Sequence, residues 1–204
     1  MSHQSIHKIV LASGNAGKLR EFSQVLAPLE IEVVPQSAFR ISDADETGLS
    51  FVENAIIKAR HACRHSGLPA LADDSGLEVD ALNGAPGIYS ARFAGPGASD
   101  AENCERLLHQ LAGIADAQRS ARFRCVLVFM RHAEDPTPLI SIGTWEGNIL
   151  HAPRGDGGFG YDPLFLVPEL GLSAAEISPE QKNRLSHRGQ AVARLAEQIG
   201  PYLK

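Results

Sequence analysis

Cysteine is scarce. Cys63, Cys104 and Cys125 lie far apart, odd in number and with no CxxC pair. That usage argues against a disulfide framework and against a zinc knuckle. Long apolar runs are missing as well: no window approaches the roughly 18 consecutive apolar residues of a membrane-spanning helix. The opening stretch, MSHQSIHKIVLASG, lacks the apolar core of an export signal. The expectation is therefore a cytoplasmic chain with no membrane contact. Basic residues are in deficit, with 19 Lys and Arg against 24 Asp and Glu, for a formal net charge of -5. Without a basic aromatic stripe such a chain has no sequence-blind grip on a phosphodiester backbone, so nucleic acid is not expected as a partner. A polyanionic ligand would need a local basic pocket. No internal repeat or low-complexity linker divides the chain.

What is present is an ordinary globular composition, 44% hydrophobic and 21% charged over 204 residues, enough to bury a core without covalent staples. The segment KIVLAS (8–13) is a short apolar run ending at Gly14-Asn15. KLREFSQVLAPL follows with Leu19, Phe22, Val25, Leu26 and Leu29 at helical spacing. IEVVP (31–35) predicts a second strand. The acidic SDADETG (42–48) leads into a helix whose inward stripe is expected to be Val52, Ala55, Ile56, Ala59 and Cys63. LADDSG places Asp73 and Asp74 in a turn between Leu71 and a strand LEVDAL (77–82). NGAPGIYSARFAGPGAS (83–99) is too rich in Gly and Pro for one regular element. Ser99 caps a helix over DAENCERLLHQL, and FRCVLVFM (123–130) and LISIGTWEGNIL (139–150) read as neighbouring antiparallel strands. PRGDGGFGYDPLF (153–165) is loop chemistry, and RLSHRGQAVARLAEQI (184–199) forms a closing amphipathic helix. The pattern predicts an α/β fold, one domain over 1–204 whose Gly-rich loops create any division into lobes.

Five stretches carry candidate chemistry. In SGNAGK (13–18), a Gly-rich turn between strand and helix presents backbone N–H groups and the positive helix end, and Lys18 adds a full charge for phosphate oxygens. It is not a P-loop, because the glycine spacing is too short and Leu19 stands where that motif needs a hydroxyl; taken alone, the stretch is more plainly an ordinary capped turn. Asp45, Glu46, Asp73 and Asp74 are hard oxygen donors of the type that suits a divalent cation keeping several waters. Adjacent carboxylates repel, raising one pKa unless a cation compensates. For Asp43 and Asp45 the plainer account is solvation or helix capping; for Asp74, flanked by apolar residues at a sheet end, a functional role is favoured. Asn54 and Lys58, four apart, share a helix face off the apolar stripe, which reads either as solvated or as aimed at a phosphate. In GGFGYDPLF, Phe159 and Tyr161 offer stacking faces and Asp162 an acceptor, or else the aromatics anchor a structural loop. In SHRG, Ser186 caps the last helix, while His187 and Arg188 point donors at a ligand. Such donors favour a 6-oxo purine and reject adenine.

Taken together, ASGNAGK, ETGLSFVENAIIKA, LADDSGLEVDALNGAPGIYSARFAG, GGFGYDPLF and SHRGQA resemble, in order and over nearly the whole chain, the inosine triphosphate pyrophosphatase or Ham1 family, in its bacterial dITP/XTP pyrophosphatase branch. The resemblance implies an elongated mixed β-sheet flanked by helices, two lobes around a central active-site cleft, and a homodimer. It implies Mg²⁺-dependent hydrolysis of dITP, ITP and XTP to monophosphate and pyrophosphate, clearing them from the pool before they enter DNA or RNA. By this likeness Ser13, Gly14, Asn15, Ala16, Gly17 and Lys18 hold the triphosphate with Lys58. Asp74 is general base and metal ligand, Glu46 or Asp45 the second metal ligand, and Ser75 a substrate contact. Phe159, Gly160, Tyr161, Asp162, Lys182, His187 and Arg188 form the base pocket. Three rivals stand beside this reading: a pyrophosphatase for modified pyrimidine triphosphates, a non-catalytic purine-nucleotide sensor and, least favoured, a nucleic-acid-binding module.

Overall fold

The computed structural model describes residues 6–203; the first five residues of the stretch read as lacking an export signal lie outside them. Seven strands form one mixed sheet in the order β2-β1-β3-β4-β5-β6-β7. They are β1 (Lys8–Leu11), β2 (Glu32–Pro35), β3 (Ala70–Val79), β4 (Ser120–Met130), β5 (Leu139–Ile149), β6 (Phe165–Val167) and β7 (Leu172–Ser173). β1 pairs in parallel with β2 and β3, whereas β6 pairs antiparallel with β5 and β7. The helices are α1 (Ala16–Leu26), α2 (Phe51–Ser66), α3 (Asp100–Gln110), α4 (Pro179–Leu185) and α5 (His187–Gln198).

The chain falls into two compact units, with β3, β4, β5 and α5 each contributing to both. The first comprises 1–74, 125–142 and 191–204. Its core packs Ile9 and Leu11 of β1, Phe22 and Leu26 of α1, Leu71 of β3, Leu127 and Phe129 of β4, and Leu195 of α5. The second comprises 75–124 and 143–190. Its core packs Leu77 and Val79 of β3, Leu107 of α3, Phe123, Trp145, Tyr161, Phe165 and Ile177.

Local chemistry sets the helix ends. The Asn15 side chain accepts from the Gly17 and Lys18 N–H groups and so starts α1. Ser50 does the same for α2, which stops where Gly67 takes a left-handed φ of 70° and returns its N–H to Cys63. Ser99 and Glu102 form a reciprocal capping box on α3.

Several expectations are corrected. The predicted acidic turn at residues 73–76 is the middle of a continuous ten-residue strand, β3. Lysines neutralise the two carboxylates, so like charges do not force the chain to turn out to solvent. β1 is shorter than predicted, ending at Leu11, and β3 ends at Val79, before residues 80–82 turn into a 3₁₀ segment. The closing helix is two helices broken at Ser186, whose extended backbone ends α4 and whose hydroxyl accepts the Gly189 N–H at 3.1 Å. On α2 the buried stripe is Phe51, Asn54, Ala55, Ala59, Ala62 and Cys63, while Val52 and Ile56 are only half-buried. The face carrying Asn54 and Lys58 is therefore not the solvated one: Asn54 is fully buried.

Arg119, almost fully buried, donates to the carbonyls of Leu111, Ile149 and Leu150 at 3.0, 2.8 and 3.0 Å, tying the end of α3 to the end of β5. Arg119→Leu strips the donors from three carbonyls, and unmet buried carbonyls are costly. The expected loss is about 3 kcal/mol of stability, read as a lower urea midpoint. A midpoint equal to that of the unaltered chain would show that these carbonyls find other donors.

Candidate active site

In the first unit the candidate site is assembled at the carboxyl end of β1, where its parallel pairing with β3 stops and β3 runs on. Leu11 of β1 is in register with Leu71 of β3, so where β1 ends and the chain runs on to Ser13, β3 continues through Asp73 and Asp74 at the same level. Side chains alternate along a strand, so Asp73 and Asp74 point to opposite faces of β3. Each meets its own lysine. Lys18, in the first turn of α1, donates to Asp73 Oδ1 at 2.5 Å. Lys58, on α2, donates to Asp74 Oδ1 at 2.8 Å and to Glu46 Oε1 at 2.9 Å. The Asp73 side chain is 1% exposed and that of Asp74 12%, so both carboxylates sit where solvent screens little.

Burial pushes the Asp74 carboxyl above its usual range; Lys58 opposes the shift, while Glu46 and Asp73 add to it. Burial alone would lower the Lys58 ammonium, but the two carboxylates beside it, Asp74 first, hold it above its ordinary value. Lys58 stays charged. Asp74 Oδ2 is buried and has no hydrogen-bond partner among the described residues. A buried carboxylate oxygen with no donor is costly, which singles Asp74 out chemically. Among the described residues no group of three or more His, Cys, Asp or Glu side chains makes a closed metal cage. Glu46 and Asp74, joined through Lys58, instead form an open carboxylate pair, which suits a hard cation that keeps most of its waters. Asp45 is exposed, and its backbone carbonyl accepts the Thr47 N–H; the contacts at Lys58 involve Glu46.

The turn Ser13, Gly14, Asn15, Ala16, Gly17, Lys18 lies largely exposed at the start of α1. Ser13 Oγ accepts the Asn15 N–H at 3.2 Å, and a Cβ at Gly14 would meet nothing within 4 Å. Its backbone is thus accessible to a ligand.

The second unit holds the other candidates. Ser75 follows Asp74 in β3 and is half-buried. Asp162, 3% exposed, is ion-paired with Lys182 and accepts the Phe159 N–H at 2.8 Å. The Lys182 ammonium stands 4.7 Å from the Phe159 ring centroid, and that ring is 61% exposed. The ring is therefore not a core anchor, and one face of it stays open to a ligand. Tyr161 is the opposite case: it is buried, donates its hydroxyl to the Ser90 carbonyl at 2.8 Å, and so anchors the loop. His187 is also buried, its ring stacked on Phe123 at 4.9 Å and 16°. Arg188 follows at the start of α5, half-buried.

Two groupings therefore emerge: Lys18, Glu46, Lys58, Asp73 and Asp74 in the first unit, and Phe159, Asp162 and Lys182 in the second. Sequence reasoning missed Asp73 as the partner of Lys18, and missed that α3 grips Gly160, with Asp100 accepting its N–H at 2.6 Å and Cys104 donating to its carbonyl at 3.4 Å. Nothing in the local wording joins positions so distant in sequence.

Comparison with known proteins fits this architecture. The Ham1 family model matches residues 9–198. A dITP/XTP pyrophosphatase of Thioalkalivibrio sulfidiphilus is 62% identical over 192 residues, covering 94% of this chain and 98% of that protein. One of Methylococcus capsulatus is 64% identical over 192 residues, covering 94% and 96%. The solved structure of a HAM1 protein from Coxiella burnetii superposes with a TM-score of 0.93 at 52% identity, covering 96% of this chain and all of that one. A nucleoside-triphosphatase of Mycobacterium abscessus superposes with a TM-score of 0.80 at 44% identity, covering 92% and 98%. On this likeness across almost the entire length, the chain belongs to the Ham1 family.

Proposed function

We propose that the chain is a pyrophosphatase of dITP, ITP and XTP, releasing the nucleoside monophosphate and pyrophosphate and so clearing non-standard purine triphosphates from the pool. The observation that carries the reading is the buried Asp74 carboxylate, which shares Lys58 with Glu46 and leaves one oxygen without a donor among the described residues. The family membership and the relatives named dITP/XTP pyrophosphatase support it.

In this reading the Ser13–Lys18 turn and Lys58 hold the triphosphate, the lysines offsetting charge that grows on the phosphate oxygens. Asp74, its basicity raised by burial, takes the proton of the water that attacks the α-phosphorus while the bond to the β-phosphate breaks and pyrophosphate leaves. Ser75 contacts the substrate beside it. The donor set of Glu46 and Asp74, all hard oxygen, fits Mg²⁺, and these two residues would hold it, Asp74 Oδ2 having no other partner among the described residues; the more exposed Asp45 is set aside for this role. When bound, the ion lowers the negative charge that the phosphates present to the attacking water. Phe159 stacks on the base, the Asp162–Lys182 pair and Gly160 shape its edge pocket around the Tyr161 anchor, and His187 and Arg188 supply donors that suit a 6-oxo purine. No described helix is long and apolar enough to cross a membrane. We place the enzyme in the cytoplasm as a homodimer, the latter on the family resemblance.

Pyrophosphate release from ITP, dITP, XTP, ATP, dTTP and UTP, each with Mg²⁺ and with EDTA, tests the reading. The three 6-oxo purine substrates are expected to turn over with Mg²⁺ and to fall to background with EDTA. Preference for dTTP and UTP would support the pyrimidine rival, and ITP binding without pyrophosphate release would support the sensor. Asp74→Asn is expected to lower kcat by about a thousandfold while circular dichroism and nucleotide affinity change little; a near-normal rate would remove Asp74 from the chemistry. Phe159→Ala, at an exposed ring, is expected to raise KM for ITP by about 5- to 100-fold with the smaller effect on kcat. An unchanged KM would show that the base stacks elsewhere.

A further inference from the structure

The acidic segment 42–48 is irregular and has no helix or strand of its own to place Glu46. It is held by α2. His61 Nε2 meets the Ser42 carbonyl at 3.0 Å, Lys58 Nζ meets Glu46 Oε1 at 2.9 Å, and Asn54 Oδ1 accepts the Gly48 N–H at 2.9 Å. Positions 54, 58 and 61 fall on one helical face, so a single stripe of α2 grips the segment at its start, at its acid and at its end.

The Asn54 contact is built more closely than the others. Asn54 is fully buried, with 0% of its surface exposed. Its Nδ2 is buried with no partner among the described residues, a cost that an aliphatic side chain would not carry. Gly48 lies so near that a Cβ there would stand 2.7 Å from Asn54 Oδ1 and 2.6 Å from the Glu53 Cβ. The amide acceptor and the missing side chain opposite it make one fitted contact, two residues along the chain from Glu46.

We propose that Asn54 is a positioning residue for Glu46: by accepting the Gly48 N–H it fixes the end of the acidic segment against α2, so that Glu46 reaches Lys58 beside Asp74. The inference rests on the reading that Glu46, Lys58 and Asp74 form the reacting centre. A neutral acceptor suits the place, because a carboxylate at 54 would add a further buried negative charge to the Glu46 and Asp74 already sharing Lys58.

The test uses Asn54→Leu, similar in volume without the acceptor, and Gly48→Ala, which opens the same contact from the segment's side and serves if the first variant fails to fold. Hydrogen exchange comes first: the Gly48 amide is expected to lose protection in either variant while the amides within α2 keep theirs. Unchanged protection at Gly48 would overturn the proposal. Pyrophosphate release is then measured in a cycle with Glu46→Gln. Either variant alone is expected to lower kcat/KM by about 10- to 100-fold, and by less than about threefold when Glu46 is already Gln. Equal losses in both backgrounds would overturn the route through Glu46. If the unaltered chain releases no pyrophosphate from any of the triphosphates, the functional reading fails, and the exchange measurement still decides whether Asn54 holds the segment.

Discussion

Lys58 is the charge on which the first unit's arrangement depends. It is donated from the middle of α2 to two carboxylates that reach it from different elements, Asp74 from inside a strand and Glu46 from an irregular segment. Without it, burial would set two acids near one another with little solvent to separate their charges, and at least one would take up a proton. With it, a carboxylate is kept inside a sheet at low exposure. Lys18 does the matching work for Asp73 on the opposite face of β3. Two adjacent acids in a strand are tolerable because alternation sends them apart, each toward a helix that supplies its own cation.

That alternation also explains where sequence reasoning succeeded and where it stopped. The wording around Asp73 and Asp74 drew attention to the pair, and the helical spacing of Asn54 and Lys58 correctly placed them on one face. Yet the pair was taken as a turn, because adjacent charges read as solvent-seeking when their partners lie 55 and 16 residues away. For the same reason the face of Asn54 and Lys58 reads either as solvated or as aimed at a phosphate. Burial of a polar side chain is decided by what approaches it, and the approach of Gly48 is a tertiary event. Most elements declared themselves through period and caps, as with the helix that Ser99 caps. The boundary at Ser186 was half legible: Ser186 reads as the cap of the last helix, and its hydroxyl accepts the Gly189 N–H, but the apolar spacing runs on across it and conceals the separate α4.

The second unit treats its loop in a different manner. Residues 157–162 are secured through the backbone of Gly160, gripped at its N–H by Asp100 and at its carbonyl by Cys104, one turn apart on α3. Tyr161 then plunges into the core while Phe159, two residues before it, stays open. A glycine is needed at 158, where φ is 75° and a Cβ would collide with the Asp162 carboxylate. The loop is thus held through backbone groups and the Tyr161 hydroxyl, none of which needs the Phe159 ring to be buried. Two aromatics within one short motif, indistinguishable by composition, have opposite fates because only one of them carries a hydroxyl that finds a buried carbonyl.

Buried ion pairs are weak devices for stability, since the desolvation of both partners consumes most of the attraction and an apolar pair of similar volume often does as well. The arrangement at Lys58 is poorer still by that measure, because Asp74 keeps an oxygen with no donor among the described residues and Asn54 nearby keeps an amide in the same condition. A fold selected for stability alone would place aliphatic side chains there, as it does at Ala55, Ala59 and Ala72 on the same helix and strand. These charges gather instead around the middle of β3 and on the α2 face that meets it. The cost is concentrated at Asp74 and Asn54 and absent from the apolar contacts of Ile9, Leu11, Phe22 and Leu71 in the same unit, the distribution expected of a fold that gives up stability at a chemical site and recovers it in packing.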